Sequence, residues 1–94
     1  MATLPQPEVH IAGVVVHVYP EALPAVKRSI ARLRAARIHA TSPDGRLVVT
    51  LEAASGEAIA EQIARMQVLS GVLTAALVYQ HSEPEAAMND EVES

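Results

Sequence analysis

Ninety-four residues with a mass of 10.0 kDa can form one small domain but not two. Half of the residues are hydrophobic, which excludes a disordered chain, and the absence of cysteine excludes disulfides, thiol-ligated metals and thiol nucleophiles. The net charge is −4, but residues 1–80 carry seven basic and six acidic side chains, whereas residues 81–94 carry five acidic and no basic ones. A nearly neutral body with an acidic end is poorly suited to nucleic acid, because neutralising phosphates supplies most of that affinity.

The sequence also bears on targeting signals and on the boundaries of the domain. No apolar run approaches the ~20 residues of a membrane span, and no basic stretch followed by an apolar one marks a signal peptide. We therefore expect a cytoplasmic protein without a membrane span. Residues 1–9, which contain Pro5 and Pro7, are expected to form a flexible lead-in. Residues 10–81 are expected to form the domain, and residues 82–94 a mobile acidic tail.

The first half of the domain predicts a strand followed by a helix. Residues 10–19 are rich in β-branched side chains and end at Pro20, which is typical of a strand. Alternation predicts that one set of its side chains faces the core: Ala12, Val14, Val16 and Val18. Over residues 21–36 apolar side chains recur every three or four positions, which predicts a helix. Its apolar face consists of Leu23, Val26, Ile30 and Leu33.

A hairpin is predicted next. Residues 37–41 and 46–52 alternate as two strands, and Ser42-Pro43-Asp44-Gly45 between them is typical of a tight turn. The side chains expected to face the core are Ile38, Ala40, Leu47, Val49 and Leu51. Ser55 is a suitable cap for a second helix over residues 56–68, with Ile59, Ile63 and Met66 on its apolar face. Residues 72–80 predict the last strand.

The predicted order is therefore β-α-β-β-α-β. This order is typical of an α+β, ferredoxin-like sandwich, in which a four-stranded antiparallel sheet carries two helices on one face. The other face of the sheet, called here the open face, would be left uncovered. By alternation the open face would present Ile11, Gly13, Val15, His17, Tyr19, Arg37, His39, Thr41, Val48, Thr50, Glu52, Val72, Thr74, Ala76 and Val78.

That open face is unusual because a solvated sheet face is normally polar, whereas these side chains are mostly short and apolar. An exposed apolar surface of this size indicates a partner. An amphipathic helix or an extended peptide would fit it, and so would a second copy of the domain. The pattern alone favours neither the peptide nor the homodimer.

The sequence contains no pattern typical of a catalytic site or a metal site. The four histidines, His10, His17, His39 and His81, lie in or beside three different predicted strands without the spacing of a metal site. No nucleophile triad and no glycine-rich phosphate loop is present, so we expect neither an enzyme nor a bound cofactor or metal. RNA-binding domains of this topology use aromatic platforms, and only Tyr19 is expected on the open face.

Three segments resemble the NapD family of small chaperones for the periplasmic nitrate reductase. His10-Ile11 opens a valine-rich strand that runs into Pro20-Glu21, as in that family. Residues 45–52, GRLVVTLE, resemble its third strand. Residues 71–79, GVLTAALVY, followed by His81, resemble its last and most specific motif. The resemblance covers about residues 10–81.

The resemblance implies a function. Proteins of this family bind the twin-arginine signal peptide of the nitrate reductase catalytic subunit in the cytoplasm, and prevent export until the molybdenum cofactor has been inserted. The open face would provide the apolar half of the binding surface, Glu52 could meet a peptide arginine, and the acidic tail could steer the peptide at long range. The residues expected to contact the peptide are Ile11, Val15, His17, Val48, Thr50, Glu52, Ala76 and Val78.

Two other functions stay open. One is a dimeric small-molecule regulatory module of the ACT-like type, although the turn after the first strand, Tyr19-Pro20-Glu21, lacks the glycine that such sites use. The other is a structural subunit of an assembly. We expect a monomer or a weak homodimer.

Overall fold

The computed structural model of the chain describes residues 8–84. Its strands are β1 (Glu8–Val18), β2 (Ala36–Ser42), β3 (Arg46–Ala53) and β4 (Val72–Pro84), and its helices are α1 (Leu23–Ala31) and α2 (Gly56–Gln67). A single 3-10 turn, Pro20–Ala22, precedes α1. The strands form one antiparallel sheet in the order β2-β3-β1-β4. The predicted α+β, ferredoxin-like sandwich is confirmed.

One apolar core lies between the sheet and both helices. Alternate side chains of β1 and β3 meet the apolar faces of α1 and α2, and no polar side chain of residues 8–84 is buried there. The buried residues are Ala12, Val14, Val16, Val18, Val26, Ile30, Leu47, Val49, Leu51, Ile59, Met66 and Ala75. Because both helices contribute to the same cluster, they cover one face of the sheet and leave the open face to solvent.

The two helices begin and end for local reasons. The Ser55 hydroxyl accepts a hydrogen bond from the Ala58 amide at 3.1 Å, which confirms the predicted cap of α2. The first helix is shorter than the predicted span of 21–36, because α1 ends at Ala31. The Leu33 amide bonds to the Ile30 carbonyl at 3.0 Å, a tighter last turn, and the Glu52 amide donates to the Ala35 carbonyl at 2.9 Å. Pairing with β3 therefore takes the chain out of the helix.

Two strands are longer than predicted. β1 begins at Glu8 rather than His10, and β4 continues to Pro84 rather than ending at Gln80. The added residues pair with each other, since Glu8 lies opposite Pro84 and Val9 opposite Glu83. The sheet thus takes in part of the expected lead-in and the start of the expected tail. The predictions for residues 1–7 and 85–94 lie outside the described residues.

A bulge in β2 corrects the predicted alternation there. The register passes from Ile38 opposite Val49 to Ala40 opposite Val48, so that His39 is an extra residue in the strand. Ala40 is therefore exposed beside an open-face valine instead of facing the core. Thr41 lies opposite the core residue Leu47, so its predicted place on the open face is also wrong.

Two bulges in β4 have similar effects. The first lies between the pairs of His17 and Val18, so that Val72 is opposite Val18 and packs against the core. Its predicted place on the open face is wrong. The second lies between the pairs of Gly13 and Val14, and it brings Tyr79 opposite Gly13. Tyr19 is thus not the single aromatic residue of the open face.

Candidate functional site

The residues predicted to form a binding surface all lie on the open face. Four pairs run across β1 and β3: Ile11 with Glu52, Gly13 with Thr50, Val15 with Val48, and His17 with Arg46. On the other side of β1, Ala76 lies opposite Val15. Val78, in the second bulge of β4, is 62% exposed and lines the same depression as Gly13 and Val15. The structure therefore brings together all eight predicted residues: Ile11, Val15, His17, Val48, Thr50, Glu52, Ala76 and Val78.

Three depressions on this face join into one trough. Their volumes are about 290, 260 and 250 Å³. The first and second share His39 and Thr50, and the second and third share Val15 and Val48. We call this surface the trough. Its floor is formed by Ile11, Gly13, Val15, Val48, Thr50 and Glu52, with His39 of β2 on one side and Val78 and Tyr79 of β4 on the other.

The dimensions of the trough follow from strand geometry. Glu52 lies six positions beyond Arg46 along β3, which corresponds to about 20 Å at ~3.3 Å per residue. Three strand spacings separate β2 from β4, which corresponds to about 14 Å at ~4.8 Å per spacing. A trough of this length and width is wider than one extended strand and close to the diameter of a helix with its side chains, about 10–12 Å.

Tyr79 is the feature of the site that the sequence analysis missed. A side chain at Gly13 would overlap the Tyr79 ring, so the glycine leaves the space that the ring occupies. The ring is half exposed and stacks on His81, with ring centroids 6.0 Å apart and an interplanar angle of 18°. A one-residue bulge cannot be read from a run of apolar residues. The absence of any Gly or Pro between Tyr79 and Pro84 is a usable sign that β4 continues.

Polar groups occur at the margins of the trough. His39 Nε2 and Thr50 Oγ1 are 2.7 Å apart, which holds the imidazole beside the floor. At one end, Arg46 lies 3.4 Å from Asp44. The hydrogen bond from the Ser42 hydroxyl, together with the Arg46 guanidinium, holds the pKa of the Asp44 carboxyl below its usual value.

The described residues do not assemble a metal site. Within residues 8–84 no three side chains of His, Asp or Glu come close enough to share an ion. Nor does any helix in this range have the length and apolar character needed to cross a bilayer. The open face itself is a shallow apolar surface with polar edges, which is suited to binding a chain segment.

Comparison with known proteins identifies the family and the fold of the chain. The family model described as "NapD protein" matches residues 9–84, which is most of the chain. The chain belongs to the NapD family. A solved structure, the solution structure of the E. coli Tat proofreading chaperone protein NapD, matches with a TM-score of 0.72 and 24% sequence identity. The match covers 82% of this chain and 81% of the other, and at that identity it establishes the shared fold. No curated protein matches the chain.

Proposed function

We propose that this NapD-family chain is a proofreading chaperone that binds the twin-arginine signal peptide of the periplasmic nitrate reductase catalytic subunit. It would hold the peptide in the cytoplasm until the molybdenum cofactor has been inserted, and so prevent premature export. The observation that carries the proposal is the trough, an uncovered apolar surface on a family fold whose solved relative is named a Tat proofreading chaperone. The family match also favours this function over an ACT-like regulatory module.

The shape of the trough supports a helical peptide. The apolar part of a signal peptide has about 7–15 residues, which span roughly 10–22 Å as a helix. The trough is about 20 Å long, and its two sides are about 14 Å apart. A single helix laid along β1 and β3 would cover Val15, Val48 and Val78, which are otherwise solvated. The wide floor fits this arrangement better than one extended strand would.

Calorimetric titration tests the proposal. The protein is titrated with the twin-arginine signal peptide of nitrate reductase and with the same peptide carrying glutamine in place of both arginines. We expect binding of the first peptide and weaker binding of the second. Chemical shifts of ¹⁵N-labelled protein should change at Gly13, Val15 and Val48. No binding, or changes confined to Lys27, Arg28 and Arg32 around α1, would contradict the proposal.

A homodimer is the competing occupant of the open face. Sedimentation velocity of the free protein and of the complex distinguishes the two occupants. We expect a monomer or a weak dimer that separates when the peptide binds. A tight dimer whose peptide complex still buries both open faces would contradict the proposal, since the trough would then not be available.

A further inference from the structure

The two ends of the trough carry different charges. At one end, on β3, Arg46 is paired with Asp44, and His17 lies beside it on β1. At the other end, six residues along β3, Glu52 is exposed and forms no salt bridge with any residue in the range 8–84. A bound segment with charge at only one end would therefore be favoured in one direction over the other.

The extension of β4 adds to the acidic end. Tyr79, His81 and Glu83 alternate along β4 on the side of the open face, opposite Gly13, Ile11 and Val9. His81 Nε2 lies 3.2 Å from Glu83 Oε1, which fixes this carboxylate beside the stacked rings. Glu52 on β3 and Glu83 on β4 thus flank β1, separated by two strand spacings, about 10 Å, across the sheet. Glu52 lies opposite Ile11 and Glu83 opposite Val9, so Glu83 is also offset by two residues, about 7 Å, along β1.

These groups match the chemistry of a guanidinium. Arginine binds carboxylates through two parallel hydrogen bonds and also stacks on aromatic rings. Both kinds of partner occur here around β1, in Glu52, Glu83 and the half-exposed Tyr79 ring. Arg34 and Arg37 line the β2 side of the depression that contains Glu52, and they would repel a cation there. A peptide arginine is therefore directed to the β1 and β4 side of Glu52.

We propose that the trough has a direction: the arginine pair of the bound signal peptide lies at the Glu52 end, between Glu52 and Glu83 and against the Tyr79 ring. The apolar stretch that follows the pair then runs along β1 and β3 toward Arg46. This inference rests on the proposed function, and it assigns to Glu83 a binding role in the folded domain. The alternative direction would place the two cations beside the Arg46–Asp44 pair, where the carboxylate already has a partner, instead of beside Glu52, which forms no salt bridge within residues 8–84.

Spin labels test the direction. A nitroxide is attached to the signal peptide either just before the arginine pair or at the end of the apolar stretch, and bound to ¹⁵N-labelled protein. The first label should broaden the amide signals of Ile11 and Glu52, and the second those of His17 and Arg46. The opposite pattern, or equal broadening at both ends, would overturn the direction. Shift changes on the open face would persist in that case, so the proposed function would stand.

Charge-neutral variants test the named residues. Binding is measured for the signal peptide with its arginine pair, the arginine peptide, and for the peptide with glutamine in place of both arginines, the glutamine peptide. Glu52→Gln and Glu83→Gln should each weaken binding of the arginine peptide by about three- to tenfold and leave binding of the glutamine peptide unchanged. Glu57→Gln, which removes the same charge from α2 on the covered side of the sheet, is the matched control and should have little effect. Equal losses in all three variants would show that only net charge matters. Equal losses for both peptides would show that the carboxylates do not act on the arginines. Either result would overturn the assignment.

Two variants of Tyr79 test the role of the ring in the proposed arginine site. Tyr79→Phe keeps the ring and should retain most of the affinity for the arginine peptide. Tyr79→Leu removes the ring and should weaken binding of the arginine peptide alone. Circular dichroism checks that both variants are folded. An equal loss for the arginine and glutamine peptides in Tyr79→Leu would mean that the ring supplies apolar area alone, and would remove Tyr79 from the arginine site.

Discussion

The two faces of the sheet are made from nearly the same kinds of side chain, yet only one of them is covered. On β1 and β3, Val16 and Val49 are completely buried, while their neighbours Val15 and Val48 lie on the open face, Val48 with 44% of its surface exposed. Composition does not distinguish these residues, because all four are valines. These valines differ in burial because both helices lie on one side of the sheet. An open face built like a core face supports the proposal that a partner covers it.

The largest effect should come from placing a charge on each face in turn. Val16→Asp and Val49→Asp bury an unpaired carboxylate, which costs more than about 4 kcal/mol and should unfold a domain of this size. Val15→Asp and Val48→Asp change the adjacent residues and should leave the domain folded. Thermal melts followed by circular dichroism measure the difference. Melts in which the second pair is the more damaging would contradict the assignment of the two faces.

A second prediction compares the two sides of β4. Ala76 lies on the open face opposite Val15, whereas Gln80 lies opposite the core residue Ala12. Ala76→Arg should therefore weaken binding of the signal peptide by more than about 1 kcal/mol, through bulk and charge at the centre of the interface, while the protein stays folded. Gln80→Arg adds the same side chain to the same strand and should bind normally. Calorimetry measures both, and equal losses would contradict the proposed peptide position.

The contrast between the faces could largely be predicted from alternation along β1 and β3. Ala12, Val14, Leu47 and Val49 are buried as expected, because these central strands pair without an irregularity with each other. The edge strands were less predictable. A bulge adds one residue and reverses the facing of the residues after it, and no local composition marks where it occurs.

Tyr79 and Glu83 of the candidate site were not predicted for a similar reason, since both depend on how the edge strand β4 pairs. Tyr79 reaches the open face only because Val78 is an extra residue in β4. The sequence pattern assigns Glu83 to an acidic tail because acidic side chains are rare in strands, but pairing with Val9 extends the sheet that far. Long-range pairing, which a single sequence does not reveal, therefore decides the position of both residues.

A third prediction concerns the contact between Gly13 and Tyr79. Gly13→Ala places a methyl group where the ring lies, so the ring must move, and we expect a loss of about 1 kcal/mol in the free energy of unfolding. In a Tyr79→Ala background the same substitution should cost less, because the space is free. A double-mutant cycle by chemical denaturation measures this coupling. Strictly additive effects would mean that the ring does not rest on Gly13 in solution.

The smallest effect should come from the polar edge of the trough. Thr50→Val removes the hydroxyl that lies 2.7 Å from His39 Nε2, and because this pair is exposed, water replaces the lost partner. We expect the free energy of unfolding to change by less than about 1 kcal/mol. The imidazole signals of His39 should shift as the ring loses its fixed position, whereas Thr41→Val, a matched change on the neighbouring strand, should leave them in place. A loss of several kcal/mol would contradict this view, since it would mean that the open face contributes to stability as the core does and is not a surface kept free for a partner.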